Sequence, residues 1–213
     1  MKVLLLHAWP LDESMWTPQV VSLADAGYAV ETPRLYGRGS SIDGWAAQIL
    51  RDFDGPLVAV GASMGGYCAL ALVRRAPERI LGLVLAGSRA GAESFEGRKA
   101  REERISELRV RASQPLIYGE IPPDELATAQ EAMRDRLDLT GMVASFGGPL
   151  LVCVGDEDEI VSVDEARALA ESALQGSLEI LPGAGHIVSA DQPDRFNAVL
   201  VEFLSQWDPT TWT

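Results

Sequence analysis

The chain reads as an α/β protein: a mainly parallel sheet of about six strands with helices on both faces. Three observations predict this. Short apolar runs alternate with stretches of helical apolar spacing along most of the sequence. One run, Pro56-Leu57-Val58-Ala59-Val60, passes through Gly61-Ala62-Ser63-Met64-Gly65 straight into the helical stretch Gly66 to Val73. The length, 213 residues, makes one good core and is short for two, so residues 1–213 are expected to form a single domain.

The first strand is Lys2 to Leu6, and His7-Ala8-Trp9-Pro10 turns out of it. A helix follows from Ser14, a plausible cap, to Ala26, where Gly27 stops it. Tyr28 to Thr32 is the second strand. The loop from Pro33 to Ser41 is rich in turn residues; its Gly-x-Gly lacks the third Gly of a dinucleotide fingerprint. Ile42, Trp45, Ile49 and Phe53 fall at helical spacing. The strand into Gly61 is third, and the helix after it ends at Pro77. Ile80 to Ala86 is fourth.

The pattern then changes. Residues 88–148 are charged and carry no strand-like run, and they read as an inserted helical lid. Its first helix, Gly97 to Ala112, holds Arg98, Lys99, Arg101, Arg104, Arg109 and Arg111 among glutamates, as a solvated helix laced with i,i+4 pairs would. A second helix starts at Pro122-Pro123-Asp124 and runs through Met133 to Leu137. Strands resume at Pro149 to Val154 and Ser177 to Leu181, with helices over Val163 to Leu174 and Asp194 to Leu204. The tail from Ser205, with Trp207 and Trp212, has no usable pattern.

Composition excludes several functions. Hydrophobic residues are 47% and charged residues 23%, as in a globular protein. A net charge of −13 argues against a nucleic-acid partner, which needs clustered Lys and Arg. No apolar run approaches a membrane span, and the one at the start meets His7 too soon for a signal peptide; a cytoplasmic protein is expected. The two Cys, Cys68 and Cys153, lie in apolar runs and read as buried thiols. With two His and no Cys-x-x-Cys or His-x-x-x-His spacing, no metal site is expected.

The chemistry centres on Ser63. A strand that turns at once into a helix strains the turn residue and pushes its side chain out above the sheet. The neighbours two positions away must be small, and Gly61 and Gly65 are. Serine needs an adjacent base. His186, in the loop Pro182-Gly183-Ala184-Gly185-His186 after the last strand, is the candidate; His7 reads as a structural residue of its turn. A carboxylate must orient the base, and Asp156, Glu157, Asp158 and Glu159 follow the fifth strand. Glu93 lies too far beyond the fourth strand. Every one of these loops sits at the carboxyl end of a strand, where α/β sheets hold their sites.

In this order the motifs resemble those of the α/β-hydrolase superfamily, and most nearly its esterase, enol-lactonase and cofactor-free haloperoxidase branch. The resemblance runs from Lys2 to Leu204. The family's His-Gly oxyanion turn matches His7-Ala8-Trp9-Pro10, with Ala8 in place of Gly. Its elbow matches Gly61 to Gly66, its acid motif Gly155-Asp156-Glu157-Asp158-Glu159-Ile160-Val161, and its base motif Gly185-His186-Ile187-Val188. Two strands that usually precede the His-Gly turn are missing, which implies about six strands rather than eight. The resemblance implies a Ser63-His186-Asp158 triad, an oxyanion hole formed by the Trp9 and Met64 amides, and no cofactor. Ser63 rules out the branches with an aspartate nucleophile. The implied activity is hydrolysis of small carboxylic esters or lactones; perhydrolysis, C–C bond hydrolysis and a triad-bearing ligand receptor are the other activities it allows. A short, charged lid implies short acyl groups, and its basic first helix would attract weakly acidic substrates.

Overall fold

The computed structural model describes residues 1–113 and 121–206, so the tail with Trp207 and Trp212 lies outside the described residues. Six strands form one sheet: β1 (Lys2–Leu6), β2 (Ala29–Glu31), β3 (Leu57–Ala62), β4 (Ile80–Ala86), β5 (Leu150–Gly155) and β6 (Gly176–Leu181). Their order is β2-β1-β3-β4-β5-β6, and every neighbouring pair is parallel. The helices are α1 (Thr17–Asp25), α2 (Ile42–Asp52), α3 (Met64–Arg75), α4 (Phe95–Arg111), α5 (Pro123–Arg134), α6 (Thr140–Ser145), α7 (Val163–Ser172), α8 (Val188–Asp191) and α9 (Pro193–Leu204). None is long and apolar enough to cross a membrane among the described residues.

A strand covered on both faces must be apolar on both, which is why β3 and β5 read as unbroken apolar runs. Alternate residues go to opposite sides. Leu4, Leu6, Leu57, Ala59, Leu83, Leu85 and Val152 pack with Trp45 and Ile49 of α2 and with α3 and α7. Val3, Leu5, Val58, Val60, Val84 and Cys153 pack on the other side with Trp16, Phe196 and Leu200. Cys68 and Cys153 are thus separated by the sheet; both are free and buried, and burial pushes the Cys68 thiol up to about 12.

Several boundaries differ from the sequence reading. The first helix is capped by Asp12, whose side chain accepts from the Ser14 N–H at 2.9 Å, and it opens with a 3-10 turn, Glu13–Trp16. Ser14 is the second residue of that turn rather than the cap, because the carboxylate two positions earlier accepts more strongly than a hydroxyl. α5 stops at Arg134, and α6 and α8, too short for a periodic signal, were not expected.

Between β4 and β5, α4 buries none of its residues. It is held by charge: Arg98 pairs with Asp135 at 2.8 Å, and Arg109 with Asp124 at 2.6 Å and Glu131 at 3.0 Å. These two cations are matched by carboxylates on and just after α5. α5 turns Ala129, Ala132 and Met133 into the core. The anchor of the insertion is Glu93. Its side chain is 11% exposed, pairs with Arg101, and accepts from Arg136 at 2.7 Å. The Arg136 guanidinium is buried, lies 4.3 Å from the centre of the Tyr67 ring, and donates to the Gly91 and Met133 carbonyls.

Burial alone would raise the Glu93 carboxyl, but Arg136 and Arg101 overrule it and hold the group down at about 2. A folded-state value below the ordinary 4.5 means the pairing stabilises fully above that ordinary value and is lost as pH falls towards 2. Melting temperatures measured between pH 5 and about 2.5 are therefore expected to fall less steeply for Glu93→Gln than for the wild type, from a lower starting value. An equal slope would mean that the Glu93 pairing does not control acid stability.

Candidate active site

The turn from β3 into α3 is set by close backbone approach. A Cβ on Gly61 would overlap the Gly65 carbonyl group, and one on Gly65 would overlap the Leu6 carbonyl. Only glycine lets the strand and helix meet there. Ser63, at the apex, has φ 47° and ψ −109° and is the one non-glycine residue with positive φ among the described residues. Strain of this kind costs about 1–3 kcal/mol and persists only where surroundings impose it. Here the Ser63 N–H donates to the Ala86 carbonyl at 2.8 Å, and the Ser63 carbonyl accepts from the Ser88 hydroxyl at 2.9 Å.

The Ser63 hydroxyl lies 2.9 Å from His186 Nε2. His186 Nδ1 lies 3.0 Å from Asp158 Oδ2 and 3.1 Å from Oδ1. The Asp158 side chain has no solvent exposure, and its Oδ1 also accepts from the Ile160 and Val161 N–H groups at 2.8 and 3.0 Å. An ionised carboxylate can only accept, so Nδ1 carries the imidazole proton and Nε2 is left to accept from the Ser63 hydroxyl.

The loops from β5 and β6 are locked together. A Cβ on Gly155 would overlap the Ala184 carbonyl, and the Glu157 N–H donates to that carbonyl at 3.0 Å. Asp156 Oδ1 accepts from the Gly183 N–H at 2.7 Å, and Asp191 Oδ2 from the Gly185 N–H at 2.9 Å. Asp156 thereby ties the end of β5 to the turn that carries His186. Glu157 and Glu159 are exposed.

His7 is buried with both ring nitrogens engaged: Nε2 accepts from the Leu35 N–H at 2.9 Å, and Nδ1 faces the Ala8 carbonyl at 3.1 Å. Burial lowers its pKa, so it stays neutral and braces the turn before Trp9. The Trp9 and Met64 backbone N–H groups have no acceptor among the described residues, and Met64 opens α3, where the helix dipole favours negative charge. Ser88 was missed by the sequence reading. Its signal was its place, two residues beyond β4 at the carboxyl end of the sheet.

The fold and this hydrogen-bonded line belong to one class. A family model described as the alpha/beta hydrolase family matches residues 3–199, and the chain belongs to that family. Among solved structures, it is similar to a thermophilic esterase from Thermogutta terrifontis: 28% identity, TM-score 0.86, covering 97% of this chain and 90% of that one. Among curated proteins, it is 36% identical over 92 residues to the pimeloyl-[acyl-carrier protein] methyl ester esterase of Aromatoleum aromaticum, a match over 40% of this chain and 36% of that protein. It is 27% identical over 179 residues to the 2-hydroxymuconate semialdehyde hydrolase of Pseudomonas putida, over 70% of this chain and 62% of that protein. The matches thus span less than two thirds of the length of these two curated relatives.

Proposed function

We propose that the protein is a serine hydrolase that cleaves carboxylic esters of small acyl groups, lactones included, through an acyl-enzyme on Ser63. The observation that carries this reading is the unbroken line from the strained Ser63 hydroxyl through His186 to the enclosed Asp158 carboxylate. In the proposed cycle His186 Nε2 takes the Ser63 proton as the oxygen attacks the acyl carbon. The carbonyl oxygen gains the negative charge and is held by the Trp9 and Met64 N–H groups, each such donor being worth roughly 3 kcal/mol. His186 then gives its proton to the departing alkoxide. Water repeats the sequence, with its hydroxide adding to the acyl carbon and Ser63 leaving reprotonated. The scheme uses only these groups and water, and the −13 net charge supports small-molecule substrates over nucleic acid.

The reading is tested by a serine-directed fluorophosphonate together with a screen of aryl esters and lactones. Labelling of Ser63 with steady ester turnover is expected. Labelling with a single burst would favour a receptor that retains the site.

Acyl length tests the size of the group. α4 buries no residue, so this helix adds no apolar wall for a long chain. Each methylene helps by about 0.8 kcal/mol only when it leaves water. p-Nitrophenyl acetate and butyrate are expected to have higher kcat/KM than the decanoate, and an optimum at ten carbons or more would overturn the size limit.

A further inference from the structure

A cavity of about 250 Å³ lies between the start of α2, the face of α3 that carries Tyr67, Leu70, Ala71 and Arg74, and Ala132 with residues 135–139 of the insertion. Its wall is mostly apolar, with Ile42, Leu70, Leu137 and Leu139 among its residues. Its volume is above the roughly 150 Å³ that holds benzene and below the roughly 300–1,000 Å³ that holds drug-sized ligands. Three guanidiniums reach it, and each is already matched: Arg74 by Asp43, Arg89 by Glu165 at 3.1 Å, and Arg136 by Glu93 at 2.7 Å. The cavity therefore does not select an anion.

One buried polar group in the wall is unmatched among the described residues. Tyr67 is 8% exposed, and its hydroxyl has no hydrogen-bond partner among the described residues. The oxygen is not one of the sealed, unsatisfied polar atoms of the described residues, and Tyr67 lines the cavity. The ring itself is fixed beneath Arg136. A buried hydroxyl held in place without a partner among the described residues suits a ligand that brings one.

The cavity is also tied to Ser63. Tyr67 follows Ser63 by four residues, about 6 Å of helix rise. Arg89 and Ala90, both in the wall, follow directly on Ser88, whose hydroxyl holds the Ser63 carbonyl. Arg89 also donates to the Ile160 carbonyl, two residues beyond Asp158.

We infer that this cavity receives the non-reacting part of the substrate, a small neutral ring carrying one hydrogen-bonding atom, and that the Tyr67 hydroxyl is the specificity-determining contact. The inference rests on the ester-hydrolase reading and names its substrate class. The ring gains by leaving water against the leucines; the hydroxyl chooses among rings of equal size.

The test uses p-cresol, toluene and benzoate as probes of the full chain. p-Cresol is expected to inhibit aryl-ester turnover competitively, and to bind Ser63→Ala as well as it binds the wild type. Tyr67→Phe keeps the ring under Arg136 and removes only the oxygen. It is expected to weaken p-cresol about 5-fold, the worth of one neutral hydrogen bond, while leaving toluene unchanged. In the same variant KM for esters bearing a polar ring is expected to rise by more than their kcat changes. Benzoate is expected to bind no better than toluene. Non-competitive inhibition, or equal p-cresol affinity in wild type and Tyr67→Phe, overturns the inference. Failure of the ester-hydrolase reading looks different: p-cresol still binds, but fluorophosphonate does not label Ser63.

Discussion

Ser63→Ala is expected to lower kcat for a simple aryl ester by at least about 10³-fold and to leave the circular dichroism spectrum unchanged. The loss is large because the substitution removes the atom that His186 Nε2 faces at 2.9 Å, and among the described residues no other hydroxyl bonds to that nitrogen. The fold survives because the backbone contacts of residue 63 run through its N–H and carbonyl, to Ala86, Gly66 and Ser88, and alanine keeps all three. Both residues meet the same cost at φ 47°. Residual activity is expected, since in the proposed cycle the Trp9 and Met64 amides and the positioning of substrate would still act. Fluorophosphonate labelling is expected to be lost in the same variant. An active Ser63→Ala enzyme, or labelling elsewhere, would remove Ser63 from the chemistry.

The sheet was legible because its strands are buried on both faces. Such strands give continuous apolar runs, and β1, β3, β4 and β5 were each found within a residue or two of their ends. β2, with three residues and an exposed first position, is bounded less sharply because only part of its surface is covered. The turn at Ser63 was legible because close backbone approach leaves glycine no substitute at positions 61 and 65. What could not be read was anything fixed by partners distant in sequence. Ser88 and Asp156 carry no local pattern; each is defined by a hydrogen bond to a residue 25 or 27 positions away. The charges of α4 announced a solvated helix but not the carboxylates on and after α5 that neutralise them. Tyr67 looked like one more apolar residue of a packed helix, because an unpaired hydroxyl has no signature in a sequence.

Asp158→Asn is expected to cost roughly 10²–10⁴ in kcat, and the comparison with Asp156 makes that figure diagnostic. The asparagine oxygen can still accept from the Ile160 and Val161 N–H groups, so the loop keeps its shape. Its amide nitrogen is then turned towards His186 Nδ1, and a donor there forces Nδ1 to accept. The imidazole proton moves to Nε2, which can no longer take the proton of Ser63. Asp156 lies two residues earlier on the same loop and offers the same carboxylate, but its partner is the Gly183 N–H at 2.7 Å. An amide oxygen serves that donor as well, so Asp156→Asn is expected to be nearly silent. Asp156→Ala removes the acceptor and loosens the turn three residues before His186, and a drop of about 3- to 10-fold in kcat is expected, on the scale of one lost hydrogen bond. Steady-state kinetics on the three variants decide the matter. If Asp156→Asn were the crippled enzyme and Asp158→Asn the silent one, the carboxylate that orients His186 in catalysis would be Asp156, and the 3.0 Å contact from Asp158 would be structural only.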